Sequence, residues 1–416
     1  MKRTILTNIS EVVTPEGKKA LHGKDMGNIK RLKDAAIVIE EGKILAVGTK
    51  DAIVKEYAKE DTALRDMGGS CILPGFVDSH THFIFGGYRP EEFMMRLSGA
   101  SYLEIHKAGG GIWNTVQATR SMSLDEMVQT GKERLADMLS MGVTTAEGKS
   151  GYGLDRECEL RQLKALEILK KEQPVSIVST FLGAHSIPEE YKGKSDEYID
   201  FLIEEMLPAV KEKNLAEYVD IFCENSVFNC EQSRRYLLQA KKMGFGVKIH
   251  ADEIEALGGS GVAAEVGAAS ADHLLMIRKT DCENLAASDT VATLLPATAF
   301  CLHKPYAPAR ELIDRGCAVA LASDYNPGSC FTNSIPLLFA LAVIHMKMSL
   351  EEALCALTLN GAAAVGKADQ IGSIEPGKAA DLVVLEKPQY EYLVYHTAKN
   401  IVREVYKDGN IVYSKR

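Results

Sequence analysis

Residues 74–82 read Pro-Gly-Phe-Val-Asp-Ser-His-Thr-His, an apolar strand pattern that ends in two histidines one residue apart. Successive side chains of a strand alternate between its faces, so His80 and His82 point the same way. Two imidazoles on one face at the end of a strand can hold a divalent metal such as Zn²⁺ or Fe²⁺. A metal bound with an open coordination position can activate water at neutral pH. The stretch therefore predicts a metal site, provided that further ligands exist downstream.

Around this stretch, strand-like runs alternate with helical patterns through the middle of the chain. Two helices carry capping boxes, Ser123 with Glu126 and Ser349 with Glu352. The predicted strands are 75–82, 143–147, 176–185, 218–224, 246–252, 268–274, 290–295 and 318–324. Eight such strands alternating with helices predict a closed parallel (β/α)8 barrel of the TIM type, an α/β fold. The active site of such a barrel lies at the carboxyl ends of the strands.

Both ends of the chain are rich in β-forming residues instead. The predicted strands are 4–14, 35–40, 43–47, 380–386, 401–406 and 411–413, with hairpin turns at Glu41-Gly42 and Asp408-Gly409. Each end is too short for a domain of its own. We expect one small discontinuous β-sandwich, formed by residues 1–66 and 370–416, beside a barrel of residues 67–369.

Composition excludes several classes of protein. The net charge of −9, from 48 basic and 57 acidic residues, leaves no electrostatic footprint for nucleic acid. No apolar run is long enough to span a bilayer, and the N-terminus lacks the apolar segment of a signal peptide. The nine cysteines are scattered without a Cys-x-x-Cys pair, which is typical of reduced thiols. We expect a cytoplasmic protein that binds neither nucleic acid nor membrane.

The predicted strand ends supply the missing metal ligands. His250 ends strand five and Asp324 ends strand eight, while His80 and His82 end strand one. Each alone has an ordinary alternative: a histidine packed in the core or exposed, or an aspartate that caps a helix. Together they form a site of three histidines and one carboxylate at one barrel mouth, and that coincidence favours a metal centre.

Two further strand-end residues have the chemistry to act on a water and a carbonyl group. Glu253 follows His250 by three residues and is a candidate general base, although a glutamate exposed at the start of a loop is the alternative. His273, at the end of strand six, could stabilise a developing oxyanion or support a ligand. Asp324 itself is the other candidate for the base.

These positions resemble the metal-dependent amidohydrolase superfamily, as does the Pro-Gly-Lys-Ala-Ala-Asp-Leu of residues 376–382. Finer segments resemble one family within it, the imidazolonepropionases of histidine degradation. They are Lys-Ser-Gly-Tyr-Gly-Leu at 149–154, Phe-Leu-Gly-Ala-His at 181–185, Lys-Ile-His-Ala-Asp-Glu at 248–253 and Asn-Pro-Gly-Ser at 326–329. The similarity covers essentially the whole chain, and departures such as Gly148 and Tyr325 remove no ligand.

The resemblance implies a reaction and a set of roles. The reaction is hydrolysis of the ring C–N amide bond of 4-imidazolone-5-propanoate to N-formimidoyl-L-glutamate, by a homodimer with one zinc or iron ion per subunit. The implied metal ligands are His80, His82, His250 and Asp324. The implied substrate contacts are Arg89, Tyr152, His185, Glu253, Asn326, Gly328 and Ser329. An arginine such as Arg89 suits a propionate group because it can bind a carboxylate through two hydrogen bonds.

The lysines near the predicted strand ends are given no part in the metal site. Lys149 is given no role, Lys248 is expected to point away from the face of His250, and strand four has no lysine to bridge a second metal.

One alternative function is a heterocycle aminohydrolase similar to guanine or cytosine deaminase, which would release ammonia. The other is a non-catalytic scaffold that binds a metal or ligand, for which Glu253 and His273 would be unnecessary.

Overall fold

The computed structural model of the chain describes residues 3–99 and 110–415. The strands in chain order are β1 (Arg3–Thr14), β2 (Lys30–Glu40), β3 (Lys43–Thr49), β4 (Ala63–Pro74), β5 (Phe76–Asp78), β6 (Val143–Lys149), β7 (Ser176–Ala184), β8 (Tyr218–Cys223), β9 (Gly246–Ala251), β10 (Ser270–His273), β11 (Val291–Leu294), β12 (Val319–Leu321), β13 (Leu382–Leu385), β14 (Val402–Lys407) and β15 (Asn410–Ser414). They belong to two sheets, one of eight strands and one of seven.

The α-helices lie mostly between the strands of the larger sheet. They are α1 (Lys50–Tyr57), α2 (Pro90–Leu97), α3 (Ile112–Ser121), α4 (Leu124–Ser140), α5 (Arg156–Glu172), α6 (Ser195–Phe201), α7 (Leu207–Glu212), α8 (Cys230–Lys242), α9 (Gly259–Val266), α10 (Lys279–Ala286), α11 (Pro296–Cys301), α12 (Ala309–Asp314), α13 (Ile335–Ala340), α14 (Leu350–Leu357), α15 (Leu359–Ala364) and α16 (Tyr392–Tyr395). Among the described residues, no helix is long and apolar enough to cross a membrane.

The larger sheet is the predicted barrel. Strands β5 to β12 pair in chain order and all neighbours are parallel. The first and last strands are joined by a parallel bridge between Thr81 and Tyr325, flanked by hydrogen bonds from Asp324 N to His80 O (2.9 Å) and from His82 N to Tyr325 O (3.0 Å). These contacts close the sheet at its carboxyl end, which confirms the (β/α)8 barrel and brings the ends of strands one and eight together.

The second sheet contains strands from both ends of the chain, in the order β15-β14-β13-β4-β1-β2-β3. Many of its apolar side chains form a core that includes Leu6 and Ile37 from the N-terminal strands and Leu382 and Val384 from the C-terminal strands. Because side chains from both halves of the sheet pack in a shared interior, the sheet encloses its own core as a sandwich does. The predicted discontinuous terminal domain is therefore present.

Local signals in the sequence specify where several of the observed helices and strands begin or end. The side chain of Ser123 accepts a hydrogen bond from Glu126 N at the start of α4, and Ser349 does the same for Glu352 at the start of α14. The turn between β2 and β3 has positive φ at Glu41 and Gly42, as a tight two-residue hairpin requires. Both capping boxes and this hairpin are confirmed.

The long strand β4 was not anticipated. It pairs parallel with β1 and antiparallel with β13, so it lies at the centre of the terminal sheet. Its span, Ala63–Pro74, runs across the predicted boundary after residue 66, and only one residue separates it from β5 of the barrel. The domain boundaries stay a prediction, and residues 1, 2, 100–109 and 416 of those predicted domains lie outside the described residues.

Candidate metal centre and active site

Four predicted ligands converge at the closed end of the barrel. The Nε2 atoms of His80 and His82 lie 3.3 Å apart, and that of His250 lies 3.4 Å from His82 Nε2. One carboxylate oxygen of Asp324, Oδ1, lies 3.6 Å from His80 Nε2 and 3.5 Å from His82 Nε2. All four side chains are almost fully buried. The structure thus brings together residues that are 244 positions apart in the chain, from 80 to 324.

The spacing of these atoms fits a single metal ion. For tetrahedral ligands about 2.1 Å from a metal, geometry requires ligand atoms about 3.4 Å from one another. Four of the six separations among the ligand atoms are 3.3 to 3.6 Å, in agreement with that value. Burial lowers the pKa of His80 and His82 well below the usual value, so both imidazoles are neutral. Neutral imidazoles that face one another across such a gap are suited to share a cation.

Carboxylates lie behind two of the histidine ligands. Asp272 Oδ2 lies 2.6 Å from His80 Nδ1, and Asp220 Oδ2 lies 3.0 Å from His250 Nδ1. The second oxygen of Asp324 accepts a 2.7 Å hydrogen bond from Thr298 Oγ1. A proton on Nδ1 leaves the lone pair of Nε2 directed at the metal position, and this arrangement is common around metal sites.

Glu253 and His273 lie next to each other beside this cluster. His273 Nδ1 is 3.7 Å from Glu253 Oε2, and one ring nitrogen of His273 lies within 4.8 Å of ligand atoms of His80 and His250. Burial, together with the carboxylates of Asp324 and Glu224, raises the pKa of Glu253 to about 8. A carboxylate whose pKa lies near neutrality is suited to accept and return a proton.

His185 and Tyr152 form an aromatic wall on another side of the cluster. The His185 ring stacks on that of His82 with centroids 5.0 Å apart, and its Nδ1 lies 3.0 Å from the carbonyl oxygen of Gly151. With the Nδ1 proton donated there, Nε2 of His185 is left as an acceptor. Tyr152 packs edge-on against His185 at 5.3 Å and is buried. Both residues therefore lie beside the metal position, and their predicted contacts with substrate stay predictions.

Arg89 meets the turn at residues 326–329. A Cβ atom added to Gly328 would lie 1.8 Å from Arg89 Nη2, so the guanidinium group occupies the space beside this glycine. Asn326 Oδ1 accepts hydrogen bonds from the backbone N of Gly328 and Ser329, and its Nδ2 donates to Asp324 O. The amide of Asn326 is thus occupied in shaping the turn, and its predicted contact with substrate stays a prediction.

Several non-glycine residues at these strand ends have positive φ. They include Asp252 at +51°, His273 at +80° and Asp324 at +53°. Such conformations are uncommon for residues with a side chain and cluster at functional sites. Here they turn the chain abruptly at the ends of strands five, six and eight, where side chains must point into the barrel mouth.

A layer of buried charge below the ligands was not anticipated from the sequence. Lys149 and Lys248 are fully buried and contact Glu147, and Lys248 also donates a 2.8 Å hydrogen bond to Ser79 O. The expectation that Lys248 faces away from His250 is wrong, because residues two apart on a strand share a face. The available signals were a lysine inside the predicted strand 246–252 and another two residues after the predicted strand 143–147, where an unpaired buried charge would be costly.

Comparisons with known proteins agree with this geometry. The model of the amidohydrolase family matches residues 71–412. Imidazolonepropionase from Clostridium tetani is 54% identical over 99% of this chain and 98% of its own length. That from Porphyromonas gingivalis is 53% identical over 98% of this chain and 97% of its own length.

Solved structures share the fold at much lower identity. Guanine deaminase from E. coli superposes with a TM-score of 0.71 at 15% identity, over the whole of both chains. An adenosine deaminase from Xanthomonas campestris, solved with bound zinc, has a TM-score of 0.70 at 19% identity and covers 98% of this chain and 92% of its own. The high identity over the full length, together with the family model, shows that this chain belongs to the amidohydrolase family and, within it, to the imidazolonepropionases.

Proposed function

We propose that the chain hydrolyses the ring amide of 4-imidazolone-5-propanoate to N-formimidoyl-L-glutamate. The observation that carries the proposal is the convergence of three histidines and Asp324 beside Glu253 and His273, in a chain 54% identical to an imidazolonepropionase. One zinc or iron ion per subunit is part of the proposal, because imidazole and carboxylate ligands suit both metals.

The proton transfers are assigned to Glu253. A divalent ion held by His80, His82, His250 and Asp324 would lower the pKa of a water molecule and polarise the ring carbonyl. Glu253 accepts the proton of the attacking water and returns it to the leaving ring nitrogen, as its raised pKa allows. Asp324 is the weaker candidate for this base, because one of its oxygens is engaged by Thr298 and the other faces the ligand cluster.

Other side chains orient the substrate and stabilise charge. His273, next to Glu253, is in a position to stabilise the oxygen of the carbonyl as it becomes negative. His185 offers a free Nε2 to the ring, since its Nδ1 is engaged by Gly151. Arg89, Tyr152 and the turn carrying Gly328 and Ser329 are assigned to the propionate end. Correct orientation of the ring carbonyl follows from this anchoring.

The test is to follow the ultraviolet absorbance of imidazolone propionate with purified protein before and after chelation. We expect turnover that chelation abolishes and that zinc or iron restores, with elemental analysis giving one ion per subunit. Turnover that survives complete removal of the metal, or none after metal is restored, would contradict the proposal. Gel filtration tests the proposed homodimer, and fractionation of cells tests the proposed cytoplasmic location.

An aminohydrolase acting on a heterocycle such as guanine is the other candidate, because deaminases share this barrel. Their identity of 15 to 19% shows the fold alone. An arginine beside Gly328, suited to an aliphatic carboxylate, favours imidazolone propionate. Ammonia release from guanine or cytosine, without turnover of imidazolone propionate, would reverse this preference.

A further inference from the structure

Five charged side chains lie inside the barrel below the metal ligands, and all five are fully buried. They are Glu147, Lys149, Asp220, Lys248 and Asp272. Charges removed from water in this way are destabilising unless they are closely paired. Removing one partner of a buried pair is also far more damaging than removing both. A cluster of this kind therefore calls for a functional explanation, and its contacts supply one.

Lys149 is the residue that connects the two histidine-orienting carboxylates. Its Nζ lies 2.7 Å from Asp220 Oδ2 and 3.7 Å from Asp272 Oδ2. Those same oxygens lie 3.0 Å from His250 Nδ1 and 2.6 Å from His80 Nδ1. One ammonium group thus contacts both carboxylates that face the far side of two separate metal ligands.

We propose that Lys149 is a positioning residue of the metal centre, which orients Asp220 and Asp272 so that His250 and His80 direct bare Nε2 atoms at the metal. The inference deepens the proposed function and rests on the metal site assigned there. Without Lys149, the two carboxylates would lose their shared partner and turn or repel one another. The imidazoles would then lose the orientation that a metal requires.

Lys248 provides a comparison within the same cluster. It is equally buried, and its Nζ lies 2.6 Å from Glu147 Oε2 and 3.9 Å from Asp272 Oδ2. Among the described residues, its ion pairs do not include Asp220. Lys248 is therefore connected to His80 through Asp272, and through the carbonyl of Ser79, but has no such connection to His250.

The test compares Lys149→Met with Lys248→Met in metal-free protein, using ¹⁵N-labelled histidine and NMR correlations that report which ring nitrogen carries the proton. We expect wild type to show His250 protonated at Nδ1. Lys149→Met is expected to change the His250 signals, whereas Lys248→Met leaves them as in wild type. His250 signals that are unchanged in Lys149→Met, or changed equally in both variants, would overturn the inference.

Zinc affinity, measured by competition with a chelator, gives a second readout. We expect Lys149→Met to bind zinc about 10 to 100 times more weakly, the range usual for loss of a group that supports a ligand. Glu147→Gln is the matched control, since Glu147 is equally buried and pairs with the same two lysines but does not contact His250. This variant should lose less zinc affinity than Lys149→Met. Equal losses in the two variants would mean that the cluster is only structural.

A buried lysine replaced alone could prevent folding, so a charge-balanced variant is included. Lys149→Met with Glu147→Gln removes one positive and one negative group, which leaves the net charge unchanged. It should fold and still bind zinc more weakly than Glu147→Gln alone; equal zinc affinities of these two proteins would overturn the inference. Failure of wild type to bind any metal would count against the proposed function instead, because the variants are compared with wild type.

Discussion

The barrel mouth and the terminal sheet bury very different side chains. Below the metal ligands, the barrel holds five fully buried charged groups, and the ligands themselves are polar. The core of the terminal sheet is apolar, with residues such as Ile37, Leu382 and Val384. At the margin of that core, Lys407 and Asp381 form a buried ion pair at 2.6 Å, which is comparable to the buried charged groups of the barrel. Burying charged groups costs free energy. The fold therefore accepts this cost mainly in the barrel, next to the residues assigned to the metal site, rather than in the terminal sheet.

The largest expected effect comes from the metal ligands. His250→Ala removes one of the four converging ligands, so we expect loss of bound metal and a fall in kcat/KM of at least about 1,000-fold. Steady-state kinetics and elemental analysis measure both. His22→Asn, at a histidine whose Nδ1 lies 3.3 Å from the carbonyl oxygen of Gly316 and which is not part of the ligand cluster, is the control and should keep full activity. Full metal content with unaltered kinetics in His250→Ala would contradict the assigned ligand set.

Glu253→Gln tests the assigned proton acceptor. The amide keeps the shape but cannot take a proton, so we expect kcat to fall by about 100- to 10,000-fold. Metal content should stay at one ion per subunit, which separates this variant from His250→Ala. A kcat within a factor of about two of wild type would transfer the role of base to another residue, with Asp324 the next to test.

The same variant should be more stable than wild type at alkaline pH. Burial raises the pKa of Glu253 from 4.5 to about 8, so the folded protein favours the protonated form. Ionisation of Glu253 therefore destabilises the folded protein, and this destabilisation is absent below pH 4.5 and grows as the pH rises to about 8. In metal-free protein at pH 8, Glu253→Gln should raise the free energy of unfolding by about 4 kcal/mol. Urea unfolding at pH 4 and pH 8 measures the difference, which should vanish at the lower pH.

Arg89→Lys should have an intermediate effect, on binding more than on chemistry. A lysine keeps the charge but loses the planar pair of donors, so KM should rise about 10-fold while kcat changes less. Initial rates over a range of substrate concentrations measure both constants. Arg31→Lys, whose guanidinium pairs with Glu11 in the terminal sheet, is the matched control and should leave KM unchanged. A fall in kcat at constant KM would contradict the anchoring role.

Glu224→Gln should shift the pH dependence without abolishing activity. Glu224 Oε2 accepts a hydrogen bond from Ile254 N, and its negative charge contributes to the raised pKa of Glu253. Removing that charge lowers the pKa of Glu253, so the acid limb of the kcat/KM profile should move to lower pH. Profiles of the variant and wild type, recorded with the same metal, measure the shift. A limb that moves to higher pH would contradict the assignment.

The smallest effect on catalysis is expected in the terminal sheet. Leu382→Ala opens a cavity in its apolar core, so we expect a loss of about 2 to 5 kcal/mol in the free energy of unfolding. At a temperature where the variant is folded, kcat and KM should equal those of wild type. Denaturant unfolding and steady-state kinetics measure the two properties. A large fall in kcat would show that the sheet and the barrel mouth are coupled.

The alternation of strands and helices was readable from residue patterns alone, and all eight barrel strands are present. Short-range rules sufficed there, because capping boxes and hairpin turns involve neighbours in the chain. Strand β4 escaped because its pairing with β1 and β13 is long-range, and its Gly68-Gly69 pair reads as a break in a strand. Strand pairing of that kind is decided by packing rather than by local preference.

By itself, the sequence determined the kind of fold, the residue types of a metal site and the strand ends that carry them. It could do so because side-chain period and strand order follow from the chain. Only the tertiary structure decided that His82 lies 3.3 to 3.5 Å from His80, His250 and Asp324, and that Lys149 lies beneath them between two carboxylates. Such contacts join residues far apart in the chain, and barrel closure, rather than any local pattern, brings them together.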